Sequence, residues 1–238
     1  MEKKLNFLIS STILLVVVIF LAGSCKKYDN NPPAVTVADI DGNIYHSISI
    51  GTQVWMVENL KVTHYRNGDP VPNITDSITW INLETGACSD YNNDPGNSLI
   101  YGKLYNWYAV HDNNNLAPMG WHIPTVTEWQ TLATYLGGNA IAGGKMKEAN
   151  TSHWMSPNNG STNESGFTVL PAGMRHEANG AFMSMGATTM LWSSSQDDLG
   201  SANNLYLGFS FREATNAYID LNTGLSVRCI KDQDILHN

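Results

Sequence analysis

The side chains in this sequence with the most chemistry to offer are seven histidines, a run of three serines, and two glutamates set in Asn- and Gly-rich stretches. A metal site built from imidazoles needs at least two or three of them on dedicated, closely spaced segments. His46, His64, His111, His122, His153, His176 and His237 show no such spacing, so each reads as a surface or satisfied core histidine. Ser193-Ser194-Ser195 lacks the Gly-x-Ser-x-Gly turn that exposes a hydrolase nucleophile, and reads as the polar end of a strand. Glu164 and Glu177 could act as the acid pair of a glycoside hydrolase only at a separation of about 5 or about 6.5–9.5 Å, which geometry alone decides. No Gly-rich phosphate cradle is present. No catalytic residue is assigned.

Cysteine chemistry is more definite. Cys25 follows Lys3 and Lys4, a predominantly apolar run from Phe7 to Ala22 interrupted at Ser10-Ser11-Thr12, and Gly23-Ser24. The run is shorter than the roughly 20 apolar residues a bilayer span requires, and small residues close it, as in a lipoprotein signal peptide. Leu21-Ala22-Gly23-Ser24-Cys25 resembles the bacterial lipobox, with Ala22 where Leu is usual. Cleavage before Cys25 would let its thiol and new amino terminus carry acyl chains, each buried CH₂ contributing about 0.8 kcal/mol of membrane affinity. Residues 1–24 are then a signal peptide, and 25–34, polar with Pro32-Pro33, a lipidated tether. The expected location is the cell envelope, anchored by lipid to the outer membrane, periplasmic or surface-exposed. In that oxidising setting Cys88 and Cys229 are free either to form a disulfide or to pack as two buried thiols.

Removing 24 of 238 residues leaves enough chain for one core burying about 70% of its unfolded surface. The formal charge of −8 becomes about −9 once Glu2, Lys3 and Lys4 are lost. Such an acidic, charge-sparse surface excludes nucleic acid, whose phosphates need clustered Lys and Arg.

Binding chemistry remains. Trp80, Tyr91, Trp154 and Tyr206 lie in polar, Asn-rich surroundings, where a ring can stack on a sugar face while amides hydrogen-bond its hydroxyls; the alternative is that the rings pack beneath long loops. Asn92, Asp94, Asp112, Asp197 and Asp198 supply the hard oxygen donors that calcium takes, or belong to ordinary solvated turns. Calcium is the candidate cofactor; none is required.

The elements that must position these groups follow from periodicity. An Asp41-Gly42 turn and a Gly51-Thr52 turn separate three short β-rich runs between Val35 and Val57, predicting a meander. Lys61 to Asn97 reads as long ordered loops. The spacing of Leu104, Trp107, Tyr108 and His111 predicts a helix over Lys103 to Val110. Thr125-Val126-Thr127-Glu128 is a capping box opening a helix with Trp129, Leu132, Ala133 and Leu136 on its apolar stripe and Gly137-Gly138 as its stop. A further short helix near Gly144 to Ala149 is weakened by Gly143 and Gly144. Short strands follow at Met190 to Ser193, Asn204 to Phe211 and Leu225 to Ile230, the last of which can pair with the first meander.

Several segments together carry a family resemblance: Trp55-Met56-Val57-Glu58-Asn59-Leu60, Tyr101-Gly102-Lys103-Leu104-Tyr105-Asn106-Trp107, Gly120-Trp121-His122-Ile123-Pro124-Thr125 through Glu128-Trp129, Asn163-Glu164-Ser165-Gly166-Phe167, Leu170-Pro171-Ala172-Gly173, Leu191-Trp192-Ser193-Ser194 and Ser226-Val227-Arg228-Cys229. In this order they resemble the Fibrobacter succinogenes major paralogous domain, common among Bacteroidetes lipoproteins, over about residues 35–232, leaving 233–238 as a tail. That family is in turn similar to formylglycine-generating enzymes and C-type lectin-like domains. The resemblance implies an α+β fold of twisted antiparallel sheets with two short helices and many loops. Members often read Cys-Pro-x-Gly-Trp where this chain has Ala117-Pro118-Met119-Gly120-Trp121. Formylglycine-generating enzymes use a reactive cysteine pair that binds copper, whereas Cys229 stands alone in an apolar strand. Fold does not dictate function. The resulting expectation is a non-enzymatic, lipid-anchored envelope module presenting a loop-rich face to a glycan or protein partner. The alternatives are an enzyme on the same scaffold with unrecognised residues, and a structural envelope protein.

Overall fold

The computed structural model describes residues 36–197 and 199–233. The expected signal peptide, Cys25, the whole of the tether, Asp198 and His237 lie outside the described residues. The predicted meander is present: β1 (Thr36–Ala38), β2 (Ile44–Ile50) and β3 (Gln53–Met56) pair antiparallel in succession. The Asp-Gly turn holds because Asp39 Oδ1 accepts from Asp41 N and Asn43 N at 3.0 and 2.9 Å, an Asx arrangement that closes the chain locally.

The segment read as loop contains more structure than its composition suggested. α1 (Ser77–Ile81) is capped by Asp76, whose Oδ1 accepts from Thr79 N at 2.7 Å. β4 (Cys88–Ser89) follows, and α2 (Pro95–Tyr101) starts at Asp94 with Pro95 in its first turn, where a missing N–H costs nothing. The helix expected over Lys103 to Val110 is divided. Leu104 and Tyr105 form β5 (Leu104–Tyr105), paired with β4, and only α3 (Trp107–Val110) is helical. Asn106 is the reason: its Oδ1 accepts from Ala109 N and Ala87 N, so it starts a helix instead of sitting within one.

β6 (Trp121–His122) leads into α4 (Val126–Tyr135), where the capping box is formed and Trp129, Leu132, Ala133 and Leu136 are buried as predicted. α5 (Asn139–Met146) runs through Gly143 and Gly144, so the weak helix begins five residues earlier than its propensity suggested. A Cβ at these glycines would lie 2.2 Å from Glu213 O and 2.3 Å from Gly160 O. Close approach of two loops, gained by omitting the side chain, outweighs the roughly 1 kcal/mol helix penalty of each glycine.

The remaining strands are β7 (Met174–Arg175), β8 (Phe182–Met183), β9 (Thr188–Gln196), β10 (Ser201–Gly208), β11 (Thr215–Asp220) and β12 (Ile230–Lys231). The main sheet has the order β1-β2-β3-β12-β6 and a second has β11-β10-β9. The named strand pairs are antiparallel. The closing strand thus returns to the first meander, Ile230 facing Trp55 on one side and His122 on the other. This is an α+β fold, with five short α-helices among the described residues where the resemblance implied two.

Strand alternation divides the core. Trp55 and Ile230 point into one apolar cluster with Trp129 and Phe167, while the next residue along β3, Met56, and the one before Ile230, Cys229, point into the other. Trp55 stacks on Trp129 at 4.7 Å with Phe167 edge-on at 5.5 Å, the offset and T-shaped contacts that aromatic quadrupoles favour. Among the described residues no helix is long and apolar enough to cross a membrane.

Candidate functional site at Arg228

The residues expected to stack on a sugar are core residues. Trp80 is fully buried, its Nε1 donating to Asn222 O at 2.8 Å, with the Arg175 guanidinium 4.3 Å from its ring. Trp154 is equally enclosed and donates to Val169 O at 2.9 Å. Tyr91 is buried against Phe182 and its hydroxyl accepts from Met185 N. Tyr206 is half-buried against Phe211. Backbone carbonyls brought in by folding, those of Asn222 and Val169, meet the two indole N–H groups, so the rings are satisfied in the interior.

The oxygen donors proposed for calcium serve local turns. Asp94 Oδ1 caps α2 at Gly96 N, Asp112 Oδ1 accepts from Asn114 N, and Asp197 Oδ1 accepts from Leu199 N and Ser201 N. Asn92 occupies a left-handed position in the turn before Asp94. Among the described residues no group of three or more His, Cys, Asp or Glu is placed to hold a metal ion. Cys88 and Cys229 are both free, buried thiols, which corrects the disulfide reading. Burial pushes Cys88 up to about 12 and raises Cys229 as well, so neither is a thiolate near neutrality.

Five histidines sit against carboxylates. His122 engages two of them, its Nε2 lying 2.9 Å from Glu128 Oε1 and its Nδ1 2.6 Å from Asp232 Oδ1. Glu128 Oε2 meanwhile completes the capping box by accepting from Thr125 N. The hydrogen bond to Glu128, reinforced by Asp232, raises the His122 pKa against the opposing effect of burial. With both ring nitrogens engaged, His122 is a bracket joining β6, α4 and the chain beyond β12, with no lone pair to spare for proton abstraction.

A different cation occupies the meeting point of the sequence segments. Arg228 is 1% exposed. Its Nε and Nη2 donate to Asn59 Oδ1 at 3.0 and 2.8 Å, and its Nη1 donates to Phe167 O. The guanidinium carbon lies 4.6 Å from the centroid of the Phe167 ring. Asn59 is itself held by donating Nδ2 to Tyr101 O at 2.8 Å. Gly102 lets the chain pass here, because at φ +80° a Cβ would lie 2.6 Å from that of Asn59. Four of the segments carrying the family resemblance, at residues 55–60, 101–107, 163–167 and 226–229, therefore touch at one guanidinium.

A guanidinium has five N–H donors. Three hydrogen bonds are made, so two N–H bonds are left without a partner among the described residues. Every acceptor is neutral. Burial drops the Arg228 pKa to about 9, with Glu58 as the charge that opposes the drop, so the group is still a cation at neutral pH. Both Glu58 oxygens are engaged by His46, at 2.7 Å to its Nδ1 and 2.8 Å to its N. Over Arg228 opens a cavity of about 140 Å³, lined by Val57, Ile100 and Leu170 on one side and by Glu58, Asn59 and Thr168 with Arg228 on the other.

The other enclosed cations are met differently: Lys103 Nζ donates to Asp90 Oδ1 at 2.6 Å. Lys147 Nζ donates to the carbonyls of Asn159, Gly208 and Phe211, which uses all three protons. Arg175 is sandwiched between Trp80 and Phe182 and donates to Gly180, Ile74 and Thr75 carbonyls. Arg228 and Asn59 were both present in the quoted segments, but nothing in their spacing placed them together. Only the recurrence of several unlinked motifs hinted that one structural point joins them.

No curated protein and no solved structure matches the chain. Residues 48–231 do match the profile of the Fibrobacter succinogenes major domain, and on that match the chain belongs to this family.

Proposed function

We propose that this protein is a lipid-anchored module of the cell envelope, held in the outer membrane through Cys25, which binds a glycan or protein partner and breaks no bond in it. The scaffold is read as C-type lectin-like, related to formylglycine-generating enzymes, with irregular loops carried on antiparallel sheets. The observation that supports binding is the small solvent-open cavity over Arg228, a preformed concave site with an aliphatic side of Val57, Ile100 and Leu170 and a polar side of Glu58, Asn59, Thr168 and Arg228. The lysine pair, apolar run and small residues ahead of Cys25 support the anchor.

The test uses the full chain expressed in its host with labelled palmitate, and the purified protein on arrays of glycans and of envelope proteins. The expected result is label on the protein that is lost in Cys25→Ala, and array binding that weakens in Ile100→Glu, a change at a residue 52% exposed on the cavity wall. Absence of label would overturn the anchor. Turnover of a bound substrate, or envelope defects without any ligand, would overturn the module in favour of an enzyme or a structural protein.

A further inference from the structure

We infer that the cavity over Arg228 is a receptor for a carboxylate carried on an aliphatic peptide stem, supplied by a protein partner. This deepens the binding-module reading and rests on it. The argument begins with what the fold has already done to the guanidinium. Taking a cation out of water costs several kcal/mol unless a counter-charge and a full set of hydrogen bonds replace the solvent. Here the acceptors are neutral, no carboxylate is within hydrogen-bonding distance, and two N–H bonds have no protein partner among the described residues.

The unmet requirement is specific. Charge-assisted hydrogen bonds from arginine to a carboxylate are roughly twice as strong as neutral ones, and the planar fork favours a planar anion. Asn59 fixes one edge of the guanidinium through Nε and Nη2, and the Phe167 ring covers a face. The group is therefore oriented before any ligand arrives, which lowers the ordering cost of binding.

Size and walls select the ligand further. About 140 Å³ corresponds to roughly five waters of liquid volume, which is room for a carboxylate with a short stem. Val57, Ile100 and Leu170 form the aliphatic side; Glu58, Asn59 and Thr168 complete the lining, with both Glu58 oxygens held by His46. Ile100 is 52% exposed and its neighbour Leu99 73% exposed on α2, continuing an aliphatic rim onto the surface. A uronic acid would set hydroxyls against the aliphatic side of Val57, Ile100 and Leu170, with the rings expected to stack on it enclosed elsewhere. A peptide brings methylenes. The protein's overall negative charge repels acids in general, so an acidic ligand held here depends on this site and not on bulk attraction.

The experiment titrates the full chain in detergent with N-acetyl-alanyl-leucine, its carboxamide, an amidated peptide bearing one internal Glu, and glucuronate. The side-chain resonances of Arg228 Nε–H and Asn59 Nδ2–H₂ are followed by NMR. The expected result is that N-acetyl-alanyl-leucine shifts both resonances and binds at least tenfold more tightly than its carboxamide. Ile100→Glu, on an exposed position, should lose that tenfold preference with the melting temperature unchanged, because a tethered carboxylate then fills or repels the site. Equal or better binding of the internal Glu peptide would also support the inference and identify a side chain as the source. Equal binding of acid and carboxamide, no effect of Ile100→Glu, or tighter binding of glucuronate than of the peptides would each overturn it. If these tests fail while array binding remains sensitive to Ile100→Glu, the module reading survives and only the ligand class is lost. If the peptides bind but Cys25 carries no acyl chain, the reverse holds.

Discussion

Asn59 Oδ1 accepts two hydrogen bonds from Arg228, at 3.0 and 2.8 Å, across 169 residues of chain. A neutral amide is thus the principal partner of an enclosed cation. Asn59→Ala should cost about 3–5 kcal/mol by leaving that cation without its main acceptor, read as a lower midpoint in chemical denaturation. Asn59→Asp should do the opposite to the charge balance: it supplies a carboxylate from within, and binding of N-acetyl-alanyl-leucine should fall at least tenfold. Unchanged peptide affinity in Asn59→Asp would contradict the assignment of Arg228 as the anion receptor.

The His122 bracket should make stability depend on pH. The folded-state pKa of His122 is raised above its ordinary 6.5 by Glu128 and Asp232, so its contribution is complete below about 6.5 and is lost as pH rises through the folded value. Burial pushes Glu128 up, but the bonds from His122 and Thr125 prevail and its pKa is net lowered; its own contribution is present above the ordinary value of 4.5 and disappears as pH falls. Since the His122 side chain is 37% exposed, solvent screening limits the pair to under about 1 kcal/mol. His122→Gln should be less stable than wild type at pH 6 and close to it at pH 8.5, by melting temperature. An equal deficit at both values would exclude an ionic contribution.

Cys88 and Cys229 should be silent in the native protein. Iodoacetamide at pH 8 should label neither until denaturant is added, and then both, with no change in melting temperature on adding reductant. Acylated Cys25 would leave two reactive thiols in the denatured chain; an unmodified one would leave three. Mass spectrometry distinguishes these outcomes.

Trp80→Ala and Trp154→Ala should each cost about 3–5 kcal/mol, the range for deleting an enclosed aromatic. Were these rings ligand platforms, the same changes would abolish binding and leave the unfolding midpoint in place.

Local features proved legible and long-range ones did not. The turn at Asp41-Gly42 and the box at Thr125 and Glu128 are decided by atoms within four residues of one another, so sequence order carries their geometry. Asp94-Pro95 was equally readable as a helix start, but the surrounding Asn and Gly residues masked it. At Asn106 one amide oxygen serves both a helix end and the distant Ala87 N, and a periodicity argument has no access to the second partner. The glycines of α5 misled because propensity records what they cost alone and not the two carbonyls they admit. The Arg228 site joins residues from positions 57 to 228; its charge, isolation and cavity exist only after folding.

The placement of β12 between β3 and β6 has a consequence for biogenesis. A chain emerging amino end first from the ribosomal exit channel presents β3 and β6 as bare edges until residue 231 has emerged, and bare edges invite pairing with other chains. The sheet is therefore zipped shut from its carboxyl side, after nearly every other segment has cleared the channel. A product truncated before Ile230 would retain its turns and capped helices yet have no way to seal its largest sheet, making it a natural target for proteolysis.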